Sequence, residues 1–182
     1  MVVRKDTIFI FSRLFMYQII LSVVIALLIC TPTTSHAVIK KGAQLPTFSA
    51  TNVSGEKISS TLYTGKVQLF MVSTEYCTYC KTAIPYLNRL HDQYGTSGLH
   101  VQGLITGPGF GKEALKRYMD NNEVHYSMVV MDNKTMYETI GAHSVPTFLL
   151  ISKKGTVAGY FRGYSDMNLK MIEQQTKTLL AE

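Results

Sequence analysis

The sequence predicts an α/β fold in which a central mixed β-sheet is flanked by helices, with an N-terminal hairpin extension. Three observations lead there. Strand-like and helix-like segments follow one another in the order β-α-β-α-β-(α)-β-β-α after a short hairpin. Residues 66–73 (KVQLFMVS) form a continuous, mostly apolar run, as a strand buried on both faces requires. The segment immediately after it carries Ala83, Leu87, Leu90 and Tyr94 at helical spacing.

The elements are justified in chain order. Residues 38–47 read as an extended lead-in, with Pro46 fixing a turn or an edge. Phe48–Val53 and Lys57–Ser59 flank Ser54-Gly55 and predict a hairpin. Lys66–Ser73 is the central strand, and Thr78–Tyr94 the helix after it, with Pro85 expected to kink it. Leu99–Ile105 is a second strand. Thr106-Gly107-Pro108-Gly109 is a loop, and Gly111–Asn121 is helical. Ser127–Met131 is a shorter strand and Lys134–Ile140 a short helix. Thr147–Ser152 and Thr156–Phe161 are strands joined by Lys153-Lys154-Gly155 as an antiparallel hairpin. Asn168–Leu180 closes the chain with a helix whose apolar face includes Leu169, Ile172 and Leu179.

The chain of 182 residues fits one domain, residues 38–182, behind a distinct N-terminal segment. In residues 1–37, Arg4, Lys5 and Arg13 precede or border the apolar run Leu14–Cys30, and Thr31-Pro32-Thr33-Thr34 ends it. Ser35-His36-Ala37 offers small residues where a signal peptidase cuts, which predicts cleavage after Ala37. The alternative is a retained membrane anchor through residues 14–30, at the lower edge of the length that spans a bilayer. Either way the basic residues precede the apolar run, so the domain is expected outside the cytoplasm: periplasmic, or anchored in the inner membrane and facing the periplasm. Cys30 does not make a lipoprotein site, because Ile29 stands where a small residue is needed. Removing residues 1–37 takes away Arg4, Lys5, Arg13 and Asp6, so the net charge falls from +6 to +4. That charge is mild and dispersed and does not argue for nucleic acid.

Only Cys77 and Cys80 then remain, in Cys77-Thr78-Tyr79-Cys80. The central strand ends just before them and the helix begins with them. Cys77 is therefore expected at a helix N-terminus, where free N–H groups and the helix dipole favour a thiolate. No second CxxC or His pair completes a zinc site, and no metal or other cofactor is expected. A purely structural bridge across so short a loop would add little stability. A redox-active dithiol is the expected use of the pair.

These residues resemble the thioredoxin superfamily, and within it the TlpA/ResA-type extracytoplasmic thiol–disulfide oxidoreductases. The resemblance covers nearly all of residues 42–182. Leu45-Pro46-Thr47-Phe48, the Ser54-Gly55 hairpin and Gly65-Lys66-Val67 are similar to that branch's N-terminal extension. Cys77-Thr78-Tyr79-Cys80-Lys81 is similar to its active-site motif, Pro85 to its helix-kinking proline, and Val145-Pro146-Thr147 to its cis-proline loop. The resemblance implies a thioredoxin fold and a Cys77–Cys80 redox disulfide, with Cys77 as nucleophile and Cys80 as resolving cysteine. It also implies substrate contacts from Tyr76, Val145 and Pro146. A cis bond there would present the N–H and C=O of Val145 to an extended substrate segment.

Four features depart from the family pattern. Tyr76 replaces the usual Trp before the first cysteine, and the chain has no Trp. Met71 stands where thioredoxin has a buried Asp. Ala83 stands where cytochrome c-maturation members carry an acidic residue. Thr78-Tyr79 is neither Gly-Pro nor Pro-His. Glu75 is the nearest candidate proton relay, against the reading of a solvated loop acid. Lys81 either favours the thiolate or covers exposed helix surface. His143 lies near Pro146 but is expected to be an exposed loop residue. His91, His100 and His125 lack metal-ligand spacing.

The expected activity is protein disulfide exchange, in the reducing direction, through a mixed disulfide. The expected partners are client proteins with cysteine pairs and, by resemblance, a membrane thiol electron donor of the DsbD/CcdA type. A monomer is expected. Two alternatives are a peroxiredoxin-like thiol peroxidase, for which Thr74 has the right spacing before Cys77 but Phe70 replaces the family's Pro, and a non-catalytic thioredoxin-like binding module.

Overall fold

The computed structural model describes residues 16–19, 21 and 39–182. The cleavage point after Ala37 and Cys30 lie outside the described residues. Of the apolar run at 14–30 only residues 16–19 and 21 are described, and these are helical. Among the described residues no helix is long and apolar enough to cross a membrane.

Residues 39–182 build one seven-stranded sheet. Its strands are β1 (Ser49–Asn52), β2 (Lys57–Ser59), β3 (Val67–Thr74), β4 (Leu99–Thr106), β5 (Ser127–Val130), β6 (Thr147–Ile151) and β7 (Val157–Arg162). The spatial order is β2-β1-β5-β4-β3-β6-β7. β3, β4 and β5 run parallel, while β1–β2, β1–β5, β3–β6 and β6–β7 are antiparallel. Three α-helices complete the fold: α1 (Thr78–Tyr94), α2 (Lys112–Asn121) and α3 (Asp166–Ala181).

The uninterrupted apolar run of β3 has the predicted consequence. Because side chains alternate along a strand, Val67, Leu69 and Met71 enter one core with Ala83, Leu87 and Leu90 of α1 and Leu169, Ile172 and Leu179 of α3. Phe70 and Val72 enter a second core on the opposite face with Phe48, Met136, Ile140 and Leu149. Every residue from Val67 to Ser73 is buried. Each large apolar side chain removed from water in these two layers contributes about 1.5–3 kcal/mol before entropy is counted.

Boundaries shift where a partner continues a ladder or supplies a cap. The parallel β3–β4 ladder continues to Thr74↔Thr106, one residue beyond the pattern-based end of each strand. α3 begins two residues earlier than its apolar spacing suggests, because the Ser165 hydroxyl accepts from the Asn168 N–H at 3.2 Å and caps it. The short helix expected at 134–140 is a single wide turn, Thr135–Thr139, in which the Ile140 N–H reaches the Thr135 carbonyl at 3.0 Å. Asp132 fixes its start by accepting from the Thr135 N–H and hydroxyl, both at 2.7 Å. These hydrogen bonds hold the Asp132 carboxyl below its ordinary range.

Candidate active site

The site lies where β3 hands the chain to α1. After Thr74 the backbone turns, and the Cys77 N–H donates to the Thr74 carbonyl at 3.2 Å. Cys77 has extended backbone angles and is the N-cap of α1; its Sγ accepts from the Cys80 N–H at 3.1 Å. A sulfur thus takes the place that a Ser or Asp oxygen fills at most helix N-termini. Cys77 and Cys80 are joined in a disulfide, with an S–S distance of 2.04 Å and Cα atoms 5.2 Å apart. The two cysteines differ in burial: Cys80 is fully buried in the α1 core, whereas Cys77 is partly buried at its edge.

The second half of the site comes from β6. The Val145–Pro146 peptide bond is cis. The register Val72↔Thr147 sets this bond beside the end of β3, next to the cysteine turn. Two hydrogen bonds pin the loop: the Gly163 N–H donates to the Pro146 carbonyl at 2.8 Å, and the Thr147 hydroxyl to the Ser144 carbonyl at 2.7 Å. Neither the N–H nor the C=O of Val145 has a hydrogen-bond partner among the described residues. Val145 and Cys77 pack against the same apolar core.

The remaining sequence candidates are distributed around this centre. Tyr76 is 84% exposed and stands as an open aromatic face beside Cys77. Glu75 is half-buried and lines a small hollow with Lys81, Arg117 and Tyr118. The Lys81 ammonium sits 5.9 Å from the centre of the Tyr118 ring, so it covers α2 as well as flanking the cysteines. Met71 and Ala83 are fully buried among apolar neighbours, and neither position brings a carboxylate to Cys80. His143 is exposed and stacks on Tyr137 with ring centres 5.9 Å apart. His125 pairs with Asp92 at 3.0 Å on the surface. Burial, reinforced by Lys66 and His91, pushes His100 down to about 4.

Two aromatic residues escaped the sequence reading. Tyr164, just before α3, stacks on Tyr79 of the cysteine motif with centres 6.3 Å apart. Tyr137 stands on the wide turn at 135–139 and lines a hollow shared with Tyr76. Both are remote from the cysteines in sequence, so no local signal points to them.

Comparison with known proteins places this geometry. The chain is 25% identical over 141 residues to the thiol-disulfide oxidoreductase ResA of Bacillus thuringiensis subsp. konkukian, covering 78% of this chain and 75% of the relative. It is likewise 25% identical over 137 residues to the thioredoxin-like protein YneN of Bacillus subtilis, covering 75% and 79%. Among solved structures, a thiol:disulfide interchange protein of the thioredoxin family from Chlorobium tepidum superposes with a TM-score of 0.64 at 20% identity, covering 79% of this chain and 99% of that one. The thioredoxin domain of a thiol-disulfide oxidoreductase from Bacteroides vulgatus gives 0.66 at 18% identity, covering 76% and 99%. The fold is therefore the thioredoxin fold. With residues 41–160, more than half of the chain, also matching the family model, the chain belongs to the AhpC/TSA family.

Proposed function

We propose that the chain is a thiol–disulfide oxidoreductase that acts on protein disulfides through the Cys77–Cys80 pair. The observation that carries this reading is the unequal pair itself: a partly exposed Cys77 at a helix N-terminus, bonded to a fully buried Cys80. In the reducing direction, the Cys77 thiolate attacks one sulfur of a client disulfide. A new S–S bond forms, and the client's other sulfur leaves as a thiolate that takes up a proton. The Cys80 thiol then loses its proton and attacks the Cys77 sulfur. The mixed disulfide breaks, the second client thiol is released, and Cys77–Cys80 is left oxidised after a two-electron reduction of the client. Run backwards, the same steps oxidise a client dithiol.

The N-terminus of α1 supports Cys77 as the nucleophile, since its N–H groups and dipole favour a thiolate there. The free N–H and C=O of Val145 beside Pro146 support a contact in which an extended client segment pairs with the backbone and aligns its sulfur. Tyr76 offers that segment an apolar wall. Glu75 is the nearest carboxylate in sequence and the candidate for handling a proton at the cysteines. Residues 1–37 export the domain as a signal peptide or hold it as an anchor. The reducing direction then needs a membrane thiol donor of the DsbD/CcdA type to return electrons to the pair.

A second reading, thiol peroxidase, draws on the AhpC/TSA family match and on Thr74, which ends β3 three residues before Cys77. There a peroxide oxygen would convert the Cys77 thiolate to a sulfenate, which Cys80 resolves to the disulfide with loss of water.

One experiment separates the two. In Cys80→Ala, Cys77 can attack but nothing resolves the product, so protein-sized mixed disulfides should accumulate on Cys77 and disappear with dithiothreitol. Isolation of a Cys77 sulfenate with rapid peroxide consumption, and no mixed disulfides, would instead establish the peroxidase.

A further inference from the structure

A trough begins beside the cysteine turn, at Thr74, Glu75 and Tyr76. β3, β4 and β5 are parallel, so Thr74, Thr106 and Val130 finish at the same edge of the sheet. β6 begins at that edge, just after Val145–Pro146, and the Thr51↔Val130 pairing brings β1 to it as well. Along this edge the strands follow in the order β6, β3, β4, β5, β1. The crevice outside the carboxyl ends of parallel strands is the usual ligand position in such sheets.

Two hollows occupy it. One, of about 280 Å³, opens between Tyr76 and Tyr137 beside the cysteine turn. The other, of about 620 Å³, continues past Phe110 and Gly111 to Thr51 and Lys57 of the N-terminal hairpin. Thr106, Gly107 and Asn133 line both, so the two hollows adjoin at these residues. The Thr106 hydroxyl donates to the Asn133 carboxamide oxygen at 2.7 Å and ties β4 to the loop after β5 at that shared wall. Gly109 and Gly111 line the larger hollow, and a Cβ on either would meet no atom within 4 Å.

We propose that this trough holds the client polypeptide on one side of its attacked cysteine, as an extended segment reaching the β1–β2 hairpin. The proposal rests on the disulfide-exchange reading and adds to it a second contact region and a length. At one end, the unpaired N–H and C=O of Val145 can take the client backbone. Next, Tyr76 and Tyr137 are exposed aromatic walls of the kind that anchor protein contacts. Beyond them, Asn133 and Thr51 offer hydrogen-bonding groups beside the apolar Phe110 and Val130, as a backbone with small side chains requires. From β3 to β1 there are three strand spacings of about 4.8 Å, or about 14 Å, which an extended chain covers in about four residues.

The test uses the full chain in detergent, reduced with dithiothreitol and freed of excess. Second-order rate constants are measured for its reaction with glutathione disulfide and with disulfide-bonded peptides lengthened residue by residue on either flank. The expected result is a gain of about tenfold over the first four residues of one flank, a plateau beyond, and no comparable gain on the other flank. In Gly111→Leu, which enters the open trough from an extended backbone that leucine also adopts (φ −112°), the ratio of long to short peptide rates should fall to within about twofold of unity. The ratio is the readout, so a variant that merely folds less well lowers both rates and keeps it. Rates independent of flank length, equal gains on both flanks, or an undiminished gain in Gly111→Leu would overturn the trough and leave disulfide exchange intact. Failure of the unaltered protein to reduce glutathione disulfide or any peptide would overturn both.

Discussion

Lowering the pH from 7 to 4 should destabilise this fold by about 2 kcal/mol through one side chain, His100. The residue lies second in β4, pairs in register with Gln68 of β3, and stacks on Tyr63 with ring centres 3.3 Å apart. Its Nε2 is buried without a protein partner. Burial disfavours the charged imidazolium, and Lys66 and His91 add to the effect, so the folded-state value drops from 6.5 to about 4. The sign follows from which state binds the proton. Below pH 6.5 the unfolded chain protonates His100 and the folded chain does not, so stability declines as pH falls. The decline stops near pH 4, where the folded state also takes the proton. At about 1.4 kcal/mol per pH unit the span gives an upper limit of about 3.4 kcal/mol. The ring is only part-buried, and solvent screening brings the expected effect to about 2 kcal/mol. His100→Phe keeps the stack and removes the titration. Urea unfolding at pH 7, 5.5 and 4 should show the unaltered protein losing about 2 kcal/mol more than the variant across that range. Parallel curves for the two proteins would refute the reasoning.

Two further outcomes follow from the packing and the surface. A Cβ on Gly103 would lie 2.7 Å from the buried Met128 side chain, so Gly103→Ala should lower stability by about 1–3 kcal/mol in urea unfolding. Arg89 bonds to Glu173 at 2.6 Å, and that bond, with help from Lys177, holds the Glu173 carboxyl down at about 2. Its contribution is therefore present above pH 4.5 and lost as pH falls toward 2. With the Arg89 side chain 47% exposed, Glu173→Gln should lower stability by less than about 1 kcal/mol at pH 7, and by less still in high salt, as thermal unfolding would register.

Much of the architecture was legible because local signals agreed with one another. KVQLFMVS suits a strand covered on both sides, and the apolar spacing of Ala83, Leu87 and Leu90 gives α1 its face. The start of α1 at Thr78 is legible because the end of β3 and the cysteine turn fix it. The first two residues of α3 are not legible in the apolar repeat, because the cap that sets its start, Ser165, precedes that repeat. The turn at 135–139 was legible as helical but not as wide, since Asp132 decides its hydrogen bonding from outside the segment.

The site divides along the same line. Cys77, Cys80 and the strand-to-helix junction that presents them are adjacent in sequence, so the chain alone indicates a reactive pair at a helix N-terminus. It also indicates that Met71 and Ala83 place no acid beside Cys80. Sequence spacing carries no measure of access, however. That Cys80 is sealed in the core while Cys77 stays at its edge follows from packing among α1, α3 and β3. The meeting of Val145 with the cysteine turn depends on the β3–β6 register, and the Tyr79–Tyr164 stack on where α3 docks. The trough exists only because β1 joins the sheet beside β5, bringing the N-terminal hairpin to the edge where the parallel strands end. Hydrophobic period and helix capping act over a few residues and are written in the sequence. Strand order, burial and the alignment of loops act between residues far apart in the chain, and only the folded sheet decides them.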